Sequence, residues 1–565
     1  MKINLVNENF TSNYIENLLK ARGITDVEQF LYPTESDLNS PSLFDNIDRG
    51  VQLLDETLHI INSKILVVVD CDVDGFTSAA IIYQYIKAIN PHQEIDYVLH
   101  EHKQHGLQDH YENLLSKDFA YNLIILPDSS SNDYEYHEML GEIGSKLLIL
   151  DHHEIDKDQK ISQYACIINN QLSAHYPNKD LTGAGVAWQF CRYYGQVNAG
   201  VVGAQAYKNL IDLAALGICG DMGSVLNLEN RYIMMKGFGN IQNYFFKSAI
   251  AKQSYSMNGE VNPMSVAFYI VPMMNALIRV GTMDEKNRLF QALIDGHELV
   301  TSHKRGAKGT IEEVAIESLR ECANAKSKQN RIVDQMVDKL EQKIFKLDLL
   351  ENQILFIRLE EEDDFPSEIN GLLAMKLAAR FKHPTIVARL NDEGYDRGSI
   401  RNVPDCELAD LKSFLNESGY FEYVQGHANA AGASILDKDL RAFHEYANSA
   451  LSHINFNEGA YDVNFVRSAN DKDLSDLVIE LASYPALWGQ RNPEPLICVK
   501  DIYVKSDDIR VMGANKDTVK ITLGDVALLK FHAQDMIEEL NKCNEIKMSI
   551  VGKANLNNWM GNVTP

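Results

Sequence analysis

The sequence predicts an α/β protein: a parallel-sheet domain joined by a long helix to a second, smaller α/β domain, with a small β-barrel at the C-terminal end. Three observations carry this prediction. Runs that are apolar at every position, 65–69, 123–126 and 147–150, alternate with helix-length segments, the pattern of strands buried on both faces of a parallel sheet. No proline occurs from Met273 to Phe365, and 311–319 and 332–340 repeat apolar residues at helical spacing. Residues 496–504, 518–531 and 546–551 alternate apolar and polar positions, as half-buried antiparallel strands do.

The elements follow in order. Residues 1–60, punctuated by Tyr32-Pro33 and Ser40-Pro41, read as a helical lead-in, and 61–300 hold the parallel sheet and its helices. Residues 301–350 read as the helical connector. A second α/β pattern occupies 351–456: a strand at 354–359, an acidic loop at 360–364, a helix at 367–381, a strand at 385–390 and further helices to about 455. Residues 457–565 hold the barrel.

At 565 residues the chain is long enough for several domains, and 45% hydrophobic against 23% charged residues is an ordinary globular balance. The net charge is the unusual quantity: 53 Lys plus Arg against 79 Asp plus Glu leaves −26. Such a chain does not coat nucleic acid through diffuse positive charge, because phosphate binding rests on Lys and Arg displacing counterions. Eight cysteines, none in a CxxC pair, argue against a disulfide framework or a zinc ribbon. The N-terminus runs into polar Asn7-Glu8-Asn9 without a signal-length apolar stretch. No window is expected to reach the roughly 18 apolar residues of a membrane span, so a cytoplasmic protein is expected.

The chemistry is concentrated where strands end. Asp70-Cys71-Asp72-Val73-Asp74-Gly75 follows the first apolar run directly. Three carboxylates this close lose too much hydration to be buried without cations or many donors. An EF-hand loop is disfavoured, because Ile81 stands where the bidentate Glu belongs. An aspartyl-phosphate phosphatase and a solvated acidic turn remain open from this motif alone. Two further runs end alike, in Pro127-Asp128-Ser129 and Asp151-His152-His153. Open parallel sheets bind ligands at the carboxyl ends of their strands, so Asp72, Asp128 and His152 are expected to share one site. Asp221, in Gly217-Ile218-Cys219-Gly220-Asp221, is a fourth candidate.

These motifs resemble those of the DHH phosphoesterases, and more specifically of their RecJ-like branch. The resemblance extends over nearly the whole chain in the same order. It includes Arg22-Gly23-Ile24-Thr25, Leu181-Thr182-Gly183-Ala184-Gly185, Glu229-Asn230-Arg231 and Gly489-Gln490-Arg491-Asn492-Pro493. Gly426-His427-Ala428-Asn429-Ala430-Ala431-Gly432 resembles the GGHxxAAG-type motif of the DHH-associated domain.

The resemblance implies a two-metal site with Asp72, Asp74, Asp128, His152 and Asp221 as ligands, Asp128 as the bridge, and Asp70 as a further ligand or a group behind them. His153 is expected to face the phosphate and Asp151 to orient a histidine. Imidazole among the donors favours Mn²⁺ over Mg²⁺. His427 is expected to donate to the scissile phosphate, beside Gly426. Ser399 and Arg401 are expected to hold a terminal phosphate, with Arg279 and Lys103 as further phosphate contacts. The last domain is expected to be OB-like, with Tyr503, Arg510, Lys520, Lys530 and Trp559 available to a single strand. The implied activity is 5′→3′ hydrolysis of single-stranded DNA in repair or recombination, by a monomer without membrane association, supplied by a helicase or a single-strand-binding protein. A small-substrate phosphoesterase and an inactive DNA-binding scaffold are the alternatives.

Overall fold

A computed structural model describes residues 2–565 apart from 103, 117–119, 156–158, 506–507, 514, 544 and 560–561. Its first sheet has five parallel strands in the order Glu94–Leu99, Lys64–Val69, Leu123–Pro127, Lys146–Asp151, Ala165–Asn169. The apolar runs are the three central strands. Ile65, Val67 and Val69 enter one core while Leu66 and Val68 enter another on the opposite face, so every position had to be apolar. Helices Val73–Ile89, Gly183–Val197 and Ile211–Gly220 supply the first of these cores.

Helix Val314–Lys346 is 33 residues long, a rod of about 50 Å. Its N-terminal part buries Val314, Ala315, Leu319, Cys322 and Ala325 in the first core. Its C-terminal part buries Val333, Met336, Val337, Leu340 and Ile344 in another. Two apolar stripes on one helix thus tie two lobes together. The helical segment expected from 311 differs at its start, because Ile311–Glu313 pairs as a strand with Leu299–Thr301 before the helix begins.

The second lobe is a mixed five-stranded sheet in the order Phe421–His427, Ala430–Leu436, Tyr395–Arg401, Thr385–Leu390, Leu355–Arg358. Only the last two strands pair in parallel. The further helices expected up to 455 are therefore Leu411–Glu417 and Leu440–Ala450 set among three antiparallel strands. Of those strands Ala430–Leu436 is rich in Gly and Ala, and Tyr395–Arg401 and Phe421–His427 are largely polar, which hid them.

The C-terminal region builds two three-stranded sheets around one core containing Ile497, Val499, Ile502, Val504, Val519, Ile521 and Val526. It is not wholly antiparallel: Phe465–Ser468 pairs in parallel with Leu496–Lys505, through a connection that carries helix Leu474–Ala482. The run 518–531 folds as the hairpin Thr518–Leu523 and Val526–Lys530, turning at Gly524 with φ +56°.

Residues 1–60 divide between two cores. Tyr14, Ile15, Leu18, Leu19 and Phe30 pack with the C-terminal region, whereas Ile47, Val51 and Leu54 pack with the first sheet. Lys2–Leu5 adds a parallel strand to Ala460–Val463. Arg231 fastens this arrangement: its guanidinium lies 4.4 Å over the Phe30 ring and donates to the Phe30 carbonyl and, at 3.0 Å, to the Ala486 carbonyl.

The absence of any span-length apolar window does not hold. Pro263–Val280 has the length and hydropathy of a membrane span and is half buried within the protein. It folds as two helices, Pro263–Tyr269 and Val271–Val280, meeting at Ile270 beside Pro272.

Candidate metal centre

The carboxyl edge of the first sheet and two helix ends bring the acidic motifs together. Asp70 closes strand Lys64–Val69 and is buried. Asp72 caps helix Val73–Ile89, its carboxylate accepting from the Gly75 amide at 3.0 Å. A side chain at Gly75 would put a Cβ 2.5 Å from the Asp70 Cβ, so the residue after the third aspartate must be glycine. Asp74, in the first turn, accepts from Thr182 Oγ1 at 2.9 Å and from the amides of Gly183 and Ala184 at 2.7 and 3.1 Å. The glycine-rich segment therefore places a helix N-terminus on a carboxylate, where orphan amides and the helix dipole favour negative charge.

Asp128 follows strand Leu123–Pro127 in left-handed backbone, φ +68°, and Ser130 adopts φ +80°. Such conformations cost free energy in residues with a Cβ and gather at functional sites. Gly183 makes room for Asp128: a Cβ there would lie 2.3 Å from Asp128 Oδ1. Asp151 accepts from the amides of Ser131, His152 and His153 at 3.1, 2.7 and 3.2 Å and lies 2.8 Å from His153 Nδ1. It is an anchor for both histidines, with its oxygens already engaged. His152 Nε2 points into the cluster, 3.1 Å from Asp128 Oδ1, 3.6 Å from Asp221 Oδ2 and 3.9 Å from Asp74 Oδ2. Asp221 follows helix Ile211–Gly220, with its side chain 43% exposed.

The electrostatics fit cations. Burial first, then the neighbouring carboxylates, push Asp128 well above the usual carboxylate range. Burial and Asp72 raise Asp74 to about 6, and burial with Asp74 and Asp72 raises Asp221 as well. Burial also raises Asp70, against the pull of His105. Burial lowers His152 to about 4, keeping an imidazole lone pair available. Burial opposes charge on His153 too, but Asp151 outweighs it and raises that ring to about 9. His153 in turn holds Asp151 below the usual range despite burial.

Two buried oxygens, Asp70 Oδ1 and Asp128 Oδ1, have no hydrogen-bond partner; His152 Nε2 is near the second without hydrogen-bond alignment. Unpaired carboxylate oxygens and an imidazole nitrogen converging on one space are the donor set of a divalent cation. Ligand atoms gather within 4.8 Å as Asp70, Asp72 and Asp128, as Asp74, His152 and Asp221, and as Asp128, His152 and His153.

The second lobe presents the remaining candidates on one sheet face. In register, Arg401 pairs with Ala430 and Ala430 with His427, while Ser399 pairs with Gly432. Directly paired residues share a face, so Ser399, Arg401 and His427 lie on the same side with only small residues between them. The opposite side buries Ile400, Ala431 and Ala433. Gly398-Ser399-Ile400-Arg401 thus lies within a strand rather than after one. Arg401 packs over Gly371, where a Cβ would come 2.4 Å from Nη2. Burial, and then Arg279 from the first lobe, lower the Arg401 guanidinium. Gly426 takes φ +129° at the hairpin, and His427 is exposed. Among the described residues no hydrogen bond or ion pair joins His427 to the acidic cluster. Lys103 lies outside the described residues, as does the side chain of Trp559. Lys304, Arg305 and Lys308 sit in an exposed hairpin loop.

Sequence reasoning missed His105. Its Nδ1 lies 2.7 Å from Asp70 Oδ2, and that hydrogen bond, foremost, raises the ring's pKa to about 11. The only signal was a loop dense in histidine, with His100, His102, His105 and His110. A second acidic group, His303, Glu317 and Glu321, is neutralised from within, because Arg288 donates to Glu321 and Arg320 to Glu317.

The DHH family N-terminal domain matches residues 64–218, and the RecJ OB domain matches 469–565. The SPbeta prophage-derived single-strand DNA-specific exonuclease YorK of Bacillus subtilis is 33% identical over 573 residues, covering 100% of this chain and 97% of that protein. The single-stranded-DNA-specific exonuclease RecJ of Bacillus subtilis is 24% identical, over 98% of this chain and 66% of that protein. The crystal structure of RecJ in complex with Mn²⁺ from Thermus thermophilus has the same fold. Its TM-score is 0.70 at 18% identity, over 97% of this chain and 73% of that one. From the strand-end motifs to the OB region, the chain belongs to the RecJ-like single-strand exonucleases of the DHH family.

Proposed function

We propose that this chain hydrolyses phosphodiester bonds of single-stranded DNA from the 5′ end, using two divalent ions, Mn²⁺ in preference to Mg²⁺, in repair or recombination. One observation carries the reading: Asp128 falls in one group with Asp70 and Asp72 and in another with His152 and His153, and His152 falls also in the group with Asp74 and Asp221, so one carboxylate would serve two neighbouring donor sets. Asp70 and Asp72 would hold one ion, Asp74, His152 and Asp221 the other, with Asp128 between them. Ions bound there supply Lewis acidity to water and to a phosphate oxygen.

The protein's own groups do the rest. Asp151 fixes His153 through Nδ1, which leaves Nε2 to face a phosphate oxygen. Arg401 and Ser399, with Arg279 from the first lobe, form a cationic, hydroxyl-bearing patch suited to a terminal phosphate. Ala430 and Gly432 between those strands let a sugar-phosphate backbone approach closely, and His427 stands at the same face. The OB-like region supplies a second surface for the strand.

Matched 5′- and 3′-labelled oligonucleotides with Mn²⁺ test this. Mononucleotide release from the 5′ end of single strands is expected. Release from the 3′ end alone, or equal cutting of duplex, overturns the polarity and strand claims. Hydrolysis confined to dinucleotides points instead to a small-substrate phosphoesterase.

A further inference from the structure

One side chain in the metal-binding turn has no part in the reading above. Cys71 lies between Asp70 and Asp72 and is buried, with Sγ 3.9 Å from both ring nitrogens of His105. His105 in turn reaches Asp70 Oδ2 at 2.7 Å. Ligand atoms of Asp70, Cys71 and His105 all fall within 4.8 Å of one another. A tetrahedral zinc ion, with Zn–S of about 2.3 Å and Zn–N of about 2.0 Å, separates its sulfur and nitrogen ligands by about 3.5 Å. The sulfur–nitrogen distance is a few tenths of an ångström from that geometry; Sγ is equidistant from the two nitrogens, so the ring turns to aim one of them at the ion, and the 2.7 Å hydrogen bond from His105 to Asp70 opens to about 3.3 Å to admit it. The His105 side chain is half exposed, which gives an ion a route in and leaves room for water as a fourth ligand.

The donor chemistry differs from that of the neighbouring cluster. Carboxylates with one imidazole suit Mn²⁺ or Mg²⁺, whereas thiolate with imidazole selects softer ions. Asp70 belongs to both sets: Oδ2 faces His105, and Oδ1 is buried without a hydrogen-bond partner.

We propose that Asp70, Cys71 and His105 form a site for a soft divalent cation of the Zn²⁺ class, and that its occupation draws Asp70 away from the catalytic ions and slows hydrolysis. On binding, the Cys71 thiol and the His105 ring, which Asp70 holds protonated, each give one proton to solvent, and the sulfur and the freed imidazole nitrogen each donate a lone pair to the ion, with no oxidation or reduction. The inhibitory half rests on the function proposed above; the site itself does not.

The test uses the full chain and the metals alone. Co²⁺ should produce a near-ultraviolet thiolate charge-transfer band that Zn²⁺ displaces and that Cys71→Ser abolishes. X-ray absorption at the zinc edge of the unaltered chain should show one sulfur neighbour, which needs no variant. With Mn²⁺ saturating, Zn²⁺ should inhibit hydrolysis, and Cys71→Ser should raise the inhibitory midpoint at least tenfold while leaving Mn²⁺-supported turnover unchanged. No band and no sulfur neighbour, or the same band in Cys71→Ser, overturns the site. A band with equal zinc inhibition in both chains overturns the inhibitory coupling. Absence of any Mn²⁺-supported hydrolysis sinks the functional reading, and the spectra still decide the site.

Discussion

Replacing Gly183 by alanine tests how the centre is shaped. The added Cβ would stand 2.3 Å from Asp128 Oδ1 and 2.5 Å from its Cβ, where ordinary contacts begin at about 3.4 Å. Asp128 must therefore retreat by roughly 1 Å, and its own left-handed backbone gives it little freedom to do so. A displacement of about 1 Å in a positioned group costs about 100-fold in rate. Gly185→Ala is the control: its Cβ would meet the apolar Leu181 side chain, Cδ1 at 2.3 Å and Cγ at 2.7 Å, rather than a carboxylate of the centre. Both glycines lie in the first turn of their helix, so alanine gains less than the roughly 1 kcal/mol it has over glycine in a helix interior to set against the clashes. Single-turnover hydrolysis of a 5′-labelled single strand, with thermal melting alongside, separates them. Gly183→Ala should lose about 100-fold in rate and weaken Mn²⁺ binding, while Gly185→Ala stays within a few-fold. A Gly183→Ala chain within threefold of the unaltered rate refutes the claim that this glycine exists to admit Asp128.

Other expectations follow from the same geometry. Asp128→Ala should abolish hydrolysis, by about 1,000-fold or more, and remove the rise in melting temperature that Mn²⁺ gives the unaltered chain; near-normal turnover rules out the shared carboxylate. Arg401→Ala should cut kcat/KM for 5′-phosphorylated strands by about tenfold to 100-fold, consistent with loss of a charge-assisted contact, and leave 5′-hydroxyl strands almost unchanged; equal loss on both refutes the terminal-phosphate role. Burial lowers His100 to about 3 and His137 to about 4, whereas both protonate near 6.5 when unfolded. The unfolded chain thus binds more protons below pH 6.5, and stability falls as pH drops, by about 2 kcal/mol for each residue at pH 5. Urea midpoints between pH 5 and 7.5 should show this, and His137→Phe should remove its share; an unchanged slope in that variant contradicts it.

The acidic centre was legible because the central strands are buried on both faces and end in carboxylates or imidazole. That signal needs no knowledge of packing. The flanking strands were harder: Glu94–Leu99 leaves alternate positions to solvent, and Ala165–Asn169 carries Cys and Asn in only five residues. The role of Leu181-Thr182-Gly183-Ala184-Gly185 in holding Asp74 depends on a contact 108 residues away in sequence, which no local pattern reveals. In the second lobe the motif around His427 was readable as small residues, but its cross-strand alignment with Ser399 and Arg401 exists only once the register is set. The −26 net charge also takes on a specific meaning. Five of those acids, Asp70, Asp72, Asp74, Asp128 and Asp221, gather at the centre proposed to hold cations, and Arg279 and Arg401 lie together at the proposed phosphate patch.

The central claim is that Asp128 joins two hard-metal positions. Low-temperature electron paramagnetic resonance of the Mn²⁺-loaded chain, with bound manganese counted in parallel, tests it most directly. The account predicts two ions per chain with a spin-coupled signal that Asp128→Ala converts to isolated Mn²⁺. One ion per chain, or two with uncoupled spectra in the unaltered protein, contradicts it.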